Sequence, residues 1–271
     1  MGVYVVTGGT KGIGEKTVEL LKNAGEEVVN VDIAGGDINA DIGSKEGRRK
    51  VIDELHARYP DGIDGLVANA GIASHKKFSR VLAVNYFGPI EIITGLYDLL
   101  LKKGGNCVIT VSGSVAYLPN NKYRVDELLV NCGDEERIGE LVDTFDPVAV
   151  DNTIYGSTKS ALIRWMKRTA PAWAVNGVNL NAVAPGGVRT SIMEGQKFMA
   201  PDPEFILALP TPTTYKEHRM MEPIEIARTL VFMVSPNSKG ICGEVIYCDT
   251  GTASILTGDK PFLFNEAPFV R

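Results

Sequence analysis

Tyr155 and Lys159 stand four residues apart in the run Tyr155-Gly156-Ser157-Thr158-Lys159. On a helix that spacing places both side chains on one face, one turn apart. An ammonium group beside a phenol favours the phenolate, so such a tyrosine ionises more easily than a free one. It can then serve as general acid or base at an alcohol or carbonyl oxygen. The same pair also occurs on amphipathic helices that do no chemistry, so the reading depends on what stands upstream.

Upstream, Val3-Tyr4-Val5-Val6 is an apolar, β-branched run of strand length. Thr7-Gly8-Gly9-Thr10-Lys11-Gly12-Ile13-Gly14 follows at once. Glu15 to Ala24 then carries helical periodicity and stops at Gly25. Strand, glycine-rich turn and helix in that order suit a pyrophosphate: glycines let the backbone approach it, and the helix start offers N–H groups and a positive dipole end. The next strand, Glu27 to Asp32, ends in a carboxylate eighteen residues after Gly14. Asp32 can accept from the hydroxyls of an adenosine ribose and repel a 2′-phosphate, which favours NAD. Lys11 pulls toward NADP, because a cation there could bind that phosphate, and NADP stays possible.

The remaining elements alternate in the same way. Ile38 to Ile42 is strand-like, with Asp41 and Ile42 placed to line an adenine. Ser44 caps a helix running to about Tyr59; its Arg48-Arg49-Lys50 cluster reads as a solvated face. Ile63 to Ala68 is a buried strand followed by Asn69-Ala70-Gly71, small residues that suit a cofactor lying across the strand ends. Phe78 to Leu101 reads as one long apolar helix containing Asn85, whose amide needs partners if buried. Asn106 to Val111 is a strand closed by Ser112-Gly113-Ser114, so the hydroxyls of Ser112 and Ser114 stand where α/β ligand sites form. Residues 115–154 are less regular, with helical stretches at Val125 to Val130 and Glu135 to Phe145. Ile154 to Ala174 is the helix of Tyr155 and Lys159. A strand from Val178 to Ala184 leads into Pro185-Gly186-Gly187-Val188-Arg189-Thr190. Residues 190–219, rich in proline and apolar side chains, read as a substrate lid. A helix from Pro223 to Met233 and a strand from Gly243 to Cys248 close the pattern.

The 271 residues carry a net charge of −5 with no block of like charge, which argues against nucleic acid or an anionic membrane as partner. No apolar run nears the ~18 residues that span a bilayer, and Met1 to Val6 lacks a signal peptide's basic start. Met1-Gly2 invites a myristoylation reading, but a core strand beginning at Val3 speaks against it. Cys107, Cys132, Cys242 and Cys248 show no metal-type spacing and read as buried, reduced thiols in a cytoplasm. No metal is expected. The chain reads as one α/β domain over residues 1–271, with a helical insertion at about 115–154 and the lid at about 190–219. The apolar tail after Gly251 could pack on a partner subunit.

Taken in order, Thr7-Gly8-x-x-x-Gly12-Ile13-Gly14, Asn69-Ala70-Gly71, Asn85, Ser114, Tyr155-x-x-x-Lys159 and Pro185-Gly186 resemble the short-chain dehydrogenase/reductase family from residue 3 to about 252. The resemblance implies a Rossmann-type, doubly wound parallel sheet of about seven strands flanked by helices. It also implies a nicotinamide dinucleotide cofactor and alcohol–ketone chemistry. Tyr155 would be the acid/base, with Lys159 lowering its pKa and holding the nicotinamide ribose. Ser114, favoured over Ser112 by the Val115-Ala116 that follows it, would bond the substrate oxygen, and Asn85 would anchor a water relaying protons from Lys159. Gly8, Thr10, Lys11, Gly12 and Ile13 would surround the pyrophosphate. Asp32, Asp41 and Ile42 would meet the adenosine, and Asn69, Ala70 and Gly71 the sheet edge. Pro185, Gly186, Val188 and Thr190 would face the carboxamide.

Ser114 and Tyr155 are 41 residues apart, where most members have about a dozen. This insertion, Asn85-Tyr86-Phe87-Gly88 and Ala170-Pro171-Ala172-Trp173 are similar to bacterial 3α-hydroxysteroid dehydrogenases, in which the insertion is helical and contributes to an unusual subunit interface. The implied substrate is a small apolar alcohol or ketone, a steroid or bile acid, in a cleft supplied by Leu118, Ile192, Met193, Phe198 and Met199; the implied assembly is a homodimer or homotetramer. Another secondary alcohol or a dihydrodiol is the alternative substrate. A non-catalytic dinucleotide sensor is the alternative outside enzymes, though a sensor has no need of Ser114, Tyr155 and Lys159 together.

Overall fold

The computed structural model describes residues 1–150, 153–190 and 220–257. Seven parallel strands form one sheet in the order β3-β2-β1-β4-β5-β6-β7. They are β1 (Val3–Thr7), β2 (Glu27–Asp32), β3 (Ile38–Asn39), β4 (Gly65–Ala68), β5 (Asn106–Thr110), β6 (Asn179–Pro185) and β7 (Val245–Cys248). Strand order reverses between β1 and β4; β1 pairs with β2 on one side and β4 on the other, so that Thr7 lies beside both Val31 and Ala68. A crevice at the carboxyl ends of such a switch point is where ligands of open α/β sheets bind.

Alternation along β1 builds two cores. Val5 joins the larger cluster, whereas Tyr4 and Val6 face the smaller one. The smaller core lies under α1 (Gly12–Asn23) and the Pro223–Val234 helix. The larger one is covered by α2 (Lys45–Arg58), α3 (Phe78–Leu82), α4 (Gly88–Gly95), α5 (Tyr97–Lys103) and the 23-residue α9 (Thr153–Val175). Burial on both sheet faces explains why the strands read as continuous apolar runs.

Four expectations are corrected. The helix expected from Phe78 to Leu101 is broken: a π-helical turn, Ala83–Phe87, separates α3 from α4, and α5 starts anew after Leu96. Periodicity cannot register one extra residue in a turn, and such turns concentrate at functional sites. The strand expected to reach Ile42 ends at Asn39. Arg48 is not on a solvated face but 1% exposed, because its guanidinium bonds the Ile42 carbonyl, Glu91 and, through two nitrogens, Glu135. Of the cysteines only Cys107 is buried, and Cys132 is exposed.

The insertion is helical, as expected: α6 (Asp126–Cys132), α7 (Glu135–Val142) and the short α8 (Pro147–Val150). It folds back on its own chain, α6 against α9 and α7 against α3. Asp126, with no exposed surface, takes two bonds from Arg124 and one from Ser160 of α9. The insertion thus grips α9 on the side away from Tyr155 and Lys159. Apart from Thr190, the expected lid and the cleft residues Ile192, Met193, Phe198 and Met199 lie outside the described residues. So does the tail beyond Thr257, while α10 (Pro223–Val234) and α11 (Thr252–Thr257) complete the described helices.

Candidate active site and dinucleotide cradle

α9 starts at Thr153, so Tyr155 and Lys159 sit in its first turns and share one face. The Lys159 ammonium lies 5.8 Å from the Tyr155 ring centre. Lys159 is 4% exposed and donates to the Thr110 carbonyl at 3.1 Å, at the carboxyl end of β5. Burial disfavours its charged form and pulls its pKa down to about 8.

The serines separate by role. Ser112 caps the 3₁₀ turn Gly113–Tyr117, its Oγ accepting from the Ser114 amide at 3.2 Å. Ser114 Oγ is buried with no partner among the described residues. A buried hydroxyl left unbonded costs about 1–3 kcal/mol, so an unpaired one on a turn packed against the helix of a tyrosine–lysine pair is a candidate partner for a ligand oxygen. The turn carrying it packs directly on α9.

Asn85 lies in the π-helical turn with no exposed surface. Its Oδ1 accepts from the Ile72 amide at 2.9 Å and its Nδ2 donates to the Ile72 carbonyl at 2.8 Å. This clamps the segment after Asn69-Ala70-Gly71. A Cβ placed on Gly71 would stand 3.2 Å from Asn85 Oδ1 and 3.4 Å from Lys159 Nζ. The two polar groups therefore converge on Gly71, and the second lone pair of Oδ1 is where a relay water would bond.

The glycine-rich turn is built for close approach. A Cβ on Gly14 would fall 2.0 Å from the Gly8 carbonyl oxygen, so no larger residue lets α1 start there. Gly12 has φ +59°, and the Thr190 methyl would lie 3.3 Å from its Cβ, which brings the Pro185–Thr190 loop over the turn. Asp32 holds the turn from β2, its two oxygens accepting from the Thr10 and Ile33 amides at 3.0 and 2.7 Å. Further lone pairs on each oxygen stay available to ribose hydroxyls. Lys11 is exposed at the N-cap of α1 and makes no side-chain cap, and Ile13 follows in the helix's first turn. This cradle of amides and one carboxylate fits an adenosine diphosphate.

Asp41 and Ile42 have other engagements. Burial raises the Asp41 pKa, but the Arg80 guanidinium at 2.6 Å and the Gly43 amide outweigh it and hold the carboxyl below its usual range. The Ile42 side chain is part of the larger core. Val188 is 4% exposed and bridges to Met221. Pro185 and Gly186 close β6, the Gly186 amide donating to the Cys248 carbonyl.

Sequence reasoning missed the residues that wire these parts together. Thr7 Oγ1 accepts from the Asn69 and Ala70 amides, both at 3.1 Å. Thr110 donates its hydroxyl to Asn69 Oδ1, and Asn69 Nδ2 donates to the Gly8 carbonyl. One chain of bonds therefore runs from Lys159 through Thr110 and Asn69 to the glycine-rich turn. Asn30 accepts from the Gly9 amide and supports the turn from below. The signal was there: Thr7 and Thr110 are polar last residues that directly follow apolar ones, Val6 and Ile109, in β1 and β5.

A family model described as short chain dehydrogenase matches residues 2–124, and one described as enoyl-(acyl carrier protein) reductase matches 145–253. The gap between them falls within the insertion. The chain is 31% identical over 94% of its length to the 3-alpha-hydroxysteroid dehydrogenase/carbonyl reductase of Comamonas testosteroni, covering 98% of that protein. It is also 31% identical to a coniferyl-alcohol dehydrogenase of a Pseudomonas species, with 92% and 96% covered. Among solved structures it is similar to the NADH-complexed 3-alpha-hydroxysteroid dehydrogenase of Pseudomonas sp. B-0831, with TM-score 0.79, 30% identity and 95% and 99% of the two chains covered.

Proposed function

Since this chain belongs to the short-chain dehydrogenase/reductase family, an oxidoreductase family acting on CH–OH groups, we propose that it interconverts a secondary alcohol and a ketone with NAD(H), and that its substrate is a hydroxysteroid or bile acid, 3α-hydroxylated. The observation that carries the chemistry is the unpartnered Ser114 hydroxyl on a turn packed against the helix of the Tyr155–Lys159 pair. The steroid is supported by the two 3-alpha-hydroxysteroid dehydrogenase relatives that match nearly end to end. NAD over NADP is supported by Asp32, whose carboxylate would repel a 2′-phosphate at close range.

When bound, the nicotinamide supplies the site for hydride transfer to or from the carbinol carbon. Tyr155 takes the hydroxyl proton in oxidation and returns it in reduction. Lys159, cationic below about pH 8, favours the phenolate and leaves its remaining N–H bonds for a ribose. Ser114 donates to the substrate oxygen and fixes its distance from Tyr155. Asn85 holds the Ile72 peptide and borders a water path from Lys159. Asp32 and the turn from Gly8 to Gly14 hold the adenosine diphosphate, with Asn69, Ala70 and Gly71 along the edge. We assign the chain to a cytoplasmic homodimer or homotetramer; no described helix is long and apolar enough to cross a membrane.

A different alcohol is the second reading, favoured by the equal identity to coniferyl-alcohol dehydrogenase. Near-ultraviolet absorbance of reduced nicotinamide, followed with NAD and NADP across 3-, 7-, 12- and 17-hydroxylated steroids and simple alcohols, tests both. Turnover restricted to non-steroids would overturn the steroid assignment and leave the chemistry. No turnover of any alcohol with either cofactor would overturn the chemistry too.

A further inference from the structure

β7 ends in a turn that the reaction just described does not use. Asp249 is 6% exposed, and its two carboxylate oxygens accept from the Gly251 amide at 3.0 Å and the Ala253 amide at 2.7 Å. Its backbone carbonyl accepts from the Thr252 hydroxyl at 2.8 Å. Asp249 therefore sets where α11 begins and how it leaves the sheet. Between them, Thr250 holds φ +56°, the sole non-glycine residue with positive φ among the described residues. A β-branched side chain is strained there, and such strain persists where the surroundings demand it.

The surroundings are the active site. α11 packs on the Gly113–Tyr117 turn that carries Ser114. A Cβ on Gly186 would stand 2.9 Å from Asp249 Cα, and one on Gly113 would stand 3.0 Å from the Pro185 carbonyl oxygen. The Asp249 turn, the Pro185-Gly186 loop and the serine turn are thus stacked without a gap. Ser114 Oγ itself has no described partner to hold it, so its position is set by what its turn leans on.

We propose that Asp249 is a positioning residue for Ser114: by capping α11 it seats that helix against the serine turn and fixes the distance at which Ser114 meets the substrate oxygen. The strained Thr250 is the cost of bringing α11 back over the turn so soon after β7. This rests on Ser114 acting in the reaction as assigned above.

The test is a double-mutant cycle in kcat/KM between Asp249→Asn and Ser114→Ala, on full-length protein with NADH affinity followed by fluorescence. Asn keeps the size of Asp249 but puts an amide NH₂ against one of two N–H donors. Asp249→Asn alone is expected to lower kcat/KM about 10-fold, the loss expected for a misplaced oxygen partner, with NADH affinity within about twofold. On the Ser114→Ala background it is expected to cost less than about twofold, because the group it positions is gone. Full, additive losses on both backgrounds would show a merely structural role and overturn the proposal alone. Ser114→Ala at the wild-type rate would overturn the serine's assignment and this proposal with it. Thr250→Gly supplies a measurement independent of turnover: relief of strain is expected to raise the melting midpoint by about 2–4 °C, and a fall would refute the strained turn.

Discussion

Lys159 is buried at the expense of stability, and the size of that cost follows from its position. Burial lowers its pKa from 10.5 to about 8, which at about 1.4 kcal/mol per pH unit is a penalty of about 3 kcal/mol on the folded, cofactor-free chain. Below about pH 8 both folded and unfolded chains hold the proton and the penalty is whole. Between about 8 and 10.5 the unfolded chain binds more protons, so stability climbs with pH. Above 10.5 the penalty is gone. Lys159→Met keeps the apolar stem and removes the charge, but it also leaves the Thr110 carbonyl without its donor, about 1 kcal/mol. The net gain at pH 7 is about 2 kcal/mol, or about 4–6 °C in the melting midpoint of a chain this size. Urea unfolding of wild type and variant, without cofactor, at pH 7 and pH 9.5 reads it directly. The variant should be inactive, more stable at pH 7, and its advantage should shrink at the higher pH. A variant less stable than wild type at pH 7, or an advantage independent of pH, would refute the reasoning.

Three further outcomes are expected. Tyr155→Phe loses only the ionisable hydroxyl, so turnover should fall about 10²–10⁴-fold at unchanged melting midpoint; a variant near the wild-type rate would remove Tyr155 from the chemistry. Asp32→Ala should weaken NAD and relatively improve NADP, read as the ratio of kcat/KM with the two cofactors. It should also lower stability slightly, since the Thr10 and Ile33 amides lose their acceptor. Arg48→Met should cost about 3 kcal/mol in urea unfolding, because Glu135 and Glu91 lose the cation that ties α7 to α2 and α4; an unchanged midpoint would show that the Arg48 ion pairs do not hold the insertion.

Strand–turn–helix order, the glycine-rich turn, the carboxylate at Asp32 and the Tyr155–Lys159 spacing were legible because each is a local pattern. Periods of 2 and 3.6, and glycine where a backbone must approach, need only neighbours in the chain to show themselves. The strand-like segments were legible in the same way, and the resemblance to the family implied that they join in one parallel sheet. The insertion's two main helices were legible for the same reason.

What tertiary structure decided are matters of partnership between distant residues. Ser112 and Ser114 look alike in sequence; one is consumed as a cap and the other is left open, a difference set by the turn between them and by α9 and α11 packed around it. Arg48 sits in a charged triplet that reads as surface, and only the return of the insertion to α2 brings Glu135 to it and makes burial affordable. The break at Ala83–Phe87 is invisible to periodicity, yet it is the turn that holds Asn85 against the Ile72 peptide, facing Lys159 across Gly71. The polar chain from Lys159 through Thr110 and Asn69 to Gly8 crosses three strands. Sequence spacing has no term for such bonds: their partners lie up to 61 residues apart, and they exist because parallel strands end together at one edge of the sheet.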